Sequence, residues 1–117
     1  MNIAVIILSF LLALTFAFSG VSKLAGAATM RQSAEHLGID FSKYRLIGVP
    51  EVAGAAGLIA GLWVVPLGIA AAVGLALLMV GAVVVHIRAH DGADKTAPAG
   101  VLALLSLVLA VLLPLAV

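Results

Sequence analysis

The chain has 117 residues, of which 65% are hydrophobic and 9% are charged, and its formal net charge is +1. A soluble domain is about half apolar and about a quarter charged, and a chain this short has too small an interior to bury so much apolar surface. The composition therefore predicts an integral membrane protein in contact with the lipid bilayer. It excludes a nucleic-acid partner, because no large basic patch is present.

The sequence contains no cysteine. Thiol redox chemistry and thiolate metal sites are therefore excluded for this chain. Any redox role would require a cofactor or a partner chain to carry the electrons.

Four stretches are apolar over the roughly 20 residues that a helix needs to cross the bilayer. They run from about Ile3 to Val21, Tyr44 to Val64, Leu67 to Ile87 and Pro98 to Ala116. The first stretch lacks the basic segment of a secretory signal peptide, so we interpret it as a span. Because no linker is long enough to separate domains, residues 1–117 are predicted to form a single domain.

The connection between spans one and two contains a short amphipathic pattern. Met30, Ala34 and Leu37 recur at helical spacing, and Gly38 is placed to end the helix. This pattern favours a short helix lying in the membrane interface, with an irregular polar loop as the alternative. The predicted fold class is all-α: an integral membrane four-helix bundle with a short interfacial helix between spans one and two.

The basic residues are confined to two of the three connections. The first connection is flanked by four of them and the third by two, and together these are all the Lys and Arg of the chain: Lys23, Arg31, Lys43, Arg45, Arg88 and Lys95. The positive-inside rule places these connections in the cytoplasm. Both termini are therefore predicted to lie outside the cytoplasm.

Aromatic residues lie at both ends of span two. Phe41 and Tyr44 are at its start, and Trp63 is at its end. This placement is typical of rings that anchor a helix at the two membrane interfaces, although three rings are few and chance placement is the alternative.

Glu51 is the most informative ionisable residue, because it lies about seven residues inside span two, roughly 10 Å along a helix. A charge there needs a partner or water. The candidate partners are Lys23 at the end of span one and His86 near the end of span three. All three side chains lean toward one depth, since helical side chains tilt toward their own N-terminus. Glu51, Lys23 and His86 are the predicted catalytic residues, and an ion pair that only fixes helix packing is the alternative.

Residues on the same helix faces are predicted to contribute to a binding site. Phe16 and Gly20 share the face of Lys23 on span one, and Ser19 is adjacent to them. Met79 shares the face of His86 on span three. The alternative for these positions is helix–helix packing, which favours small residues in lipid.

The end of span three offers a weak pattern for a metal site. His86 and His90 are four residues apart and would share a face if the helix continued, with Glu35, His36 and Asp91 on the same side of the membrane. His90 followed by Asp91 and Gly92 is more typical of a helix end, where histidine suits the helix dipole. No metal ligand is therefore assigned.

Four short patterns of glycine, charged and aromatic residues follow one another along the spans. They are Phe16-x-x-x-Gly20-x-x-Lys23-Leu24, Arg45-x-Ile47-Gly48-x-x-Glu51, Gly54-x-x-Gly57-Leu58 and Met79-x-Gly81-Ala82-x-x-x-His86. In this order they resemble the DoxX-like family of small four-span membrane proteins. The resemblance implies a four-helix membrane bundle in a bacterial inner membrane. It again points to Lys23, Glu51 and His86, and it adds Gly54 to the candidate binding residues.

The resemblance leaves three functions open. The family name comes from a membrane subunit of a thiosulfate:quinone oxidoreductase, which implies an accessory subunit of a membrane redox or envelope complex that binds a quinone or lipid near Glu51. Such a subunit would have a protein partner or form a homo-oligomer. The alternatives are a membrane enzyme that uses Glu51 as acid or base on a hydrophobic substrate, and a proton-coupled transporter of small molecules.

Overall fold

The structure, a computed structural model, describes residues 2–116. Within this range the chain forms five α-helices and no strand, which confirms the all-α class. The helices are α1 (Ile3–Ala25), α2 (Ala28–Leu37), α3 (Phe41–Ala60), α4 (Val65–Arg88) and α5 (Ala93–Leu115).

Three helices in the described part of the chain, α1, α4 and α5, are long and apolar enough to cross a membrane. The helix over the expected second span, α3, is not among them, so the predicted count of four spans is not confirmed. It has 20 residues but carries Lys43, Arg45 and Glu51, which lower its apolar character. The fourth predicted span also starts earlier than expected, because α5 begins at Ala93 rather than near Pro98.

The four long helices form a bundle in which neighbours close a ring. α1 packs against α3 and α5, and α4 packs against the same two helices. The core between them contains one large aromatic side chain, Phe16, with Leu12 of α1, Leu58 of α3, Leu75 of α4 and Leu109 of α5 around it. Most other large apolar side chains face outward, as expected of helices whose solvent is lipid.

The backbones of α1 and α3 approach closely where two glycines meet. A Cβ atom added to Gly48 would lie 2.6 Å from the carbonyl oxygen of Gly20, and one added to Gly20 would lie 2.8 Å from the carbonyl oxygen of Gly48. Lys23 follows the first glycine by three residues, and Glu51 follows the second by three. The glycine contact therefore brings the two charged residues together.

The helices α3 and α4 form an antiparallel hairpin joined by residues 61–64. Small residues line the seam: Gly57 lies against Ala71, and Gly61 lies against Gly68. The residue numbers rise on one helix as they fall on the other, which fixes the antiparallel register. This seam packs the C-terminal part of α3 against α4.

The predicted short helix is present as α2, which has 10 residues and buries Ala34. It ends at Gly38, whose φ of 71° lies in the left-handed region that glycine adopts readily. The helix contacts α1 and α3 at one end of the bundle. Its location in a membrane interface stays a prediction.

Candidate functional site

A buried ion pair between α1 and α3 is the centre of the site. Lys23 Nζ lies 2.6 Å from Glu51 Oε1, and the Glu51 side chain is only 1% exposed. The ammonium group also donates a hydrogen bond of 2.7 Å to Ser19 Oγ. It lies 5.1 Å from the centroid of the Tyr44 ring, within the range of a cation–π contact. The charge of Lys23 is thus compensated on three sides.

The carboxylate of Glu51 keeps unused capacity as an acceptor. Its Oε1 atom is close to Lys23 Nζ, yet no donor among residues 2–116 has the alignment of a hydrogen bond to it. Coulomb attraction depends on distance and hardly on angle, whereas a hydrogen bond weakens steeply with misalignment. We therefore treat the contact as an ion pair in which the carboxylate can still accept a hydrogen bond.

A cavity of about 270 Å³ lies beside this pair, between α3 and α4 and below the end of α2. Four polar side chains line it: Lys23, Tyr44, Glu51 and His86. Most of its remaining wall is apolar, formed by Leu37, Ile39, Ile47, Leu78, Met79 and Val85. An apolar chamber with a few convergent polar groups is the usual form of a small-molecule site.

Asp91 joins two histidines from different helices, and one of them, His86, lines this cavity. Its Oδ2 lies 2.6 Å from His86 Nδ1 of α4, and its Oδ1 lies 2.5 Å from His36 Nε2 of α2. The turn that ends α4 makes this possible: His90 adopts a φ of 59°, and the backbone N–H of Asp91 donates to the carbonyl of His86. The turn places the Asp91 carboxylate next to the last turn of α4.

The ionisation of Asp91 determines how the histidines bond. Hydrogen bonds from His86 and then from His36 hold the pKa of Asp91 below its ordinary value of 3.8. A carboxylate has no proton to donate. His86 therefore donates from Nδ1 and His36 donates from Nε2.

A second, more polar groove of about 520 Å³ lies next to the inner cavity. Leu37, Tyr44 and His86 line both spaces. The outer groove also includes His36 and Lys95. The three shared residues form the wall between an apolar chamber and a polar surface.

Comparison with known proteins identifies the family. Residues 7–112 match the model of the DoxX-like family, which is nearly the whole chain. The chain belongs to the DoxX-like family. No curated protein and no solved structure matches it. Family membership and the apolar helices together establish a membrane protein.

The structure gathers some of the predicted site residues of this DoxX-like protein. Lys23, Glu51, His86 and Met79 line one cavity. Lys23 and Glu51 bond to each other, but the described bond of His86 is to Asp91 rather than to that pair.

The other four predicted residues lie outside the cavity wall. Ser19 contributes through its hydrogen bond with Lys23. Phe16 is 1% exposed in the bundle core, Gly20 lies at the crossing of α1 and α3, and Gly54 faces Leu75 of α4. These three positions pack helices, and none of them touches the chamber.

Sequence reasoning missed Tyr44 as a site residue, and it considered Asp91 only within the weak histidine pattern for a metal site. Tyr44 fits the pattern of an interfacial anchor, yet Tyr44, Ile47 and Glu51 fall on one face of α3 at i, i+3 and i+7. That spacing was a usable signal. The bond between Asp91 and His86 was not predicted, because it depends on the turn at His90.

The histidines of the DoxX-like chain do not share a helix face as metal ligands would. α4 ends at Arg88, so His90 lies in the following turn rather than one helical turn after His86. In the part of the chain between residues 2 and 116, no group of three or more histidine or acidic residues is arranged to hold a metal ion.

Proposed function

We propose that the protein is a single-domain, four-span protein of the bacterial inner membrane with both termini outside the cytoplasm. The antiparallel packing of α3 between two apolar helices supports its role as the remaining span. Its 20 residues extend for about 30 Å, the thickness of the hydrocarbon core. The basic residues Lys43 and Arg45 lie in its first turns, where they would reach the cytoplasmic interface, and Glu51 is compensated by Lys23.

The function that the site supports best is the binding of a small amphiphile with an oxygen-bearing head, of the quinone or lipid class. The chamber beside the ion pair carries this proposal. Its apolar wall suits a ring or chain, and its volume of about 270 Å³ suits a molecule of one ring rather than a whole phospholipid. Lys23 offers donors, and Tyr44 offers a hydroxyl that donates or accepts.

The protein would act as an accessory subunit of a redox or envelope complex. The chain has no cysteine, and within residues 2–116 no group of side chains is arranged to hold a metal ion, so electrons would be carried by the bound molecule or by a partner. The α2 helix, which contacts only one end of the bundle, provides a surface for that partner. We expect the isolated protein to have no turnover, and robust activity from this chain alone would contradict the proposal.

Native mass spectrometry after gentle extraction from the host tests the proposal. We expect an added mass in the range of a quinone or a single-chain lipid on the wild-type protein. The mass should be lost in Glu51→Gln and kept in Glu35→Gln, because Glu35 is an exposed acid of α2 outside the cavity. A bare chain, or a mass kept in Glu51→Gln, would contradict ligand binding at this cavity, and a specific protein that stays bound would identify the complex.

An enzyme acting on a hydrophobic substrate is the second candidate. The observation that favours it is the arrangement of a carboxylate, a phenol and an imidazole around one chamber, at Glu51, Tyr44 and His86. These groups can exchange protons with a bound molecule. If this function holds, Glu51→Gln abolishes turnover while the far-UV circular dichroism of the helices is unchanged, and retained turnover removes it.

A further inference from the structure

The histidine at the wall of the chamber is held by a carboxylate that the proposed function does not use. The His86 ring lines both the inner chamber and the outer groove. Its Nδ1 atom is bonded to Asp91, whose side chain is 4% exposed. Its Nε2 atom has no protein partner among the bonds of residues 2–116.

The bond to Asp91 decides which ring nitrogen of His86 carries the proton. Because the ionised carboxylate only accepts, the proton sits on Nδ1. A neutral imidazole carries a single N–H, so Nε2 then has a lone pair and acts as an acceptor. In many sites a carboxylate behind a histidine fixes the tautomer and the orientation of the ring in the same way.

We propose that Asp91 is a positioning residue that makes His86 Nε2 a hydrogen-bond acceptor in the chamber, so that the bound molecule is recognised by a hydroxyl donor in its head. This inference rests on the proposed function and narrows its ligand class. A head with a hydroxyl group, such as a phenol or a lipid alcohol, can donate its proton to this acceptor, whereas a carbonyl or an ether leaves it unpaired.

The tie to His36 extends the effect to α2. Asp91 accepts from His36 and His86 together, and Leu37, the last residue of α2, lines the chamber. The same carboxylate thus orients the acceptor and ties α2 to the end of α4. A molecule with a hydrogen-bond donor in its head would bind when Asp91 holds both the His86 ring and α2.

Nitrogen NMR of histidine-labelled protein tests the tautomer without any ligand. In its neutral form, which carries a single N–H, the His86 ring should show a protonated Nδ1 and a bare Nε2. Asp91→Ala should abolish this preference. Asp94→Ala, which removes an exposed acid three residues away, should leave it intact. A wild-type His86 protonated at Nε2 would overturn the inference.

Calorimetric titration of the detergent-solubilised protein with two matched probes tests the recognition. We expect para-pentylphenol to bind at least about fivefold more tightly than para-pentylanisole, the equivalent of one hydrogen bond. Asp91→Ala should reduce the ratio to below about twofold, and Asp94→Ala should retain it. If the preference came instead from the bulk of the methyl group of para-pentylanisole, it would persist in Asp91→Ala.

The outcomes separate this inference from the proposed function. Equal binding of both probes, with loss of both in Glu51→Gln, would leave the proposed site standing and refute the role of Asp91 and His86. A preference for the phenol that survives in Asp91→Ala would refute that role as well. Binding of neither probe to the wild-type protein would refute both the role and the site.

Discussion

The ion pair between Lys23 and Glu51 gives the sharpest prediction for stability. Replacing either residue alone by methionine, an unbranched apolar residue of similar size, leaves the other charge almost fully buried, since the two side chains are 9% and 1% exposed. Breaking a buried pair from one side costs about 3–5 kcal/mol, whereas replacing both partners by apolar residues is often neutral. We therefore expect each single variant to lose about 3–5 kcal/mol and the double variant to recover most of that loss.

The free energy of unfolding can be measured by titrating a denaturing detergent into mixed micelles and following the far-UV circular dichroism. Lys43→Met is the matched control, because Lys43 is an exposed lysine at the start of α3, and it should change the free energy by less than about 0.5 kcal/mol. The cycle yields a coupling energy of about 3 kcal/mol or more if the pair acts as a unit. A double variant whose loss equals the sum of the two single losses would refute the reasoning.

Three further predictions follow from glycine packing, acid titration and topology. Gly48→Ala should lower the free energy of unfolding by about 1–3 kcal/mol through overpacking, because the new Cβ would lie 2.6 Å from a carbonyl oxygen of α1. A Cβ added at Gly74 would have no atom within 4 Å, so Gly74→Ala should not lower the free energy of unfolding in the same assay. Because hydrogen bonds lower the pKa of Asp91 in the folded state, its contribution to stability is complete above pH 3.8 and is lost as the pH falls below that value. Between about pH 4 and pH 2, the thermal midpoint of Asp91→Ala should fall less with decreasing pH than that of the wild type. An equal fall of the midpoint in the variant would contradict this. Since the chain has no native cysteine, Lys43→Cys should be labelled by an impermeant maleimide from the cytoplasmic side alone and Trp63→Cys from the opposite side alone; the reverse pattern would contradict the proposed orientation.

The parts of the fold that follow local rules were predictable from sequence. Apolar stretches predicted α1, α4 and α5, and the spacing of Met30, Ala34 and Leu37 predicted α2. The pairing of Lys23 with Glu51 was predictable because both charges lie in apolar helices and need compensation. These inferences need only periodicity, side-chain direction and the cost of burying a charge.

The features that depend on helix rotation were not predictable in the same way. Gly54 shares α3 with Glu51, but whether it meets a ligand or another helix depends on how α3 is turned against α4, where Leu75 occupies that space. Tyr44 is ambiguous in sequence, because an aromatic ring at a helix end fits an interface as well as a cavity wall. Asp91 depends on a left-handed residue in a turn, which a periodic pattern does not encode.

The tight connection between α3 and α4 bears on how the chain enters the membrane during synthesis. In the proposed topology α3 carries three charged side chains and partitions poorly into lipid alone, whereas α4 is strongly apolar. Because residues 61–64 hold the two side by side, they would insert together as a helical hairpin. α1 precedes them from the ribosome, so in this topology Lys23 would already be in the bilayer when Glu51 arrives. The order of helices along the chain would then supply the buried acid with its counterion at the moment of insertion.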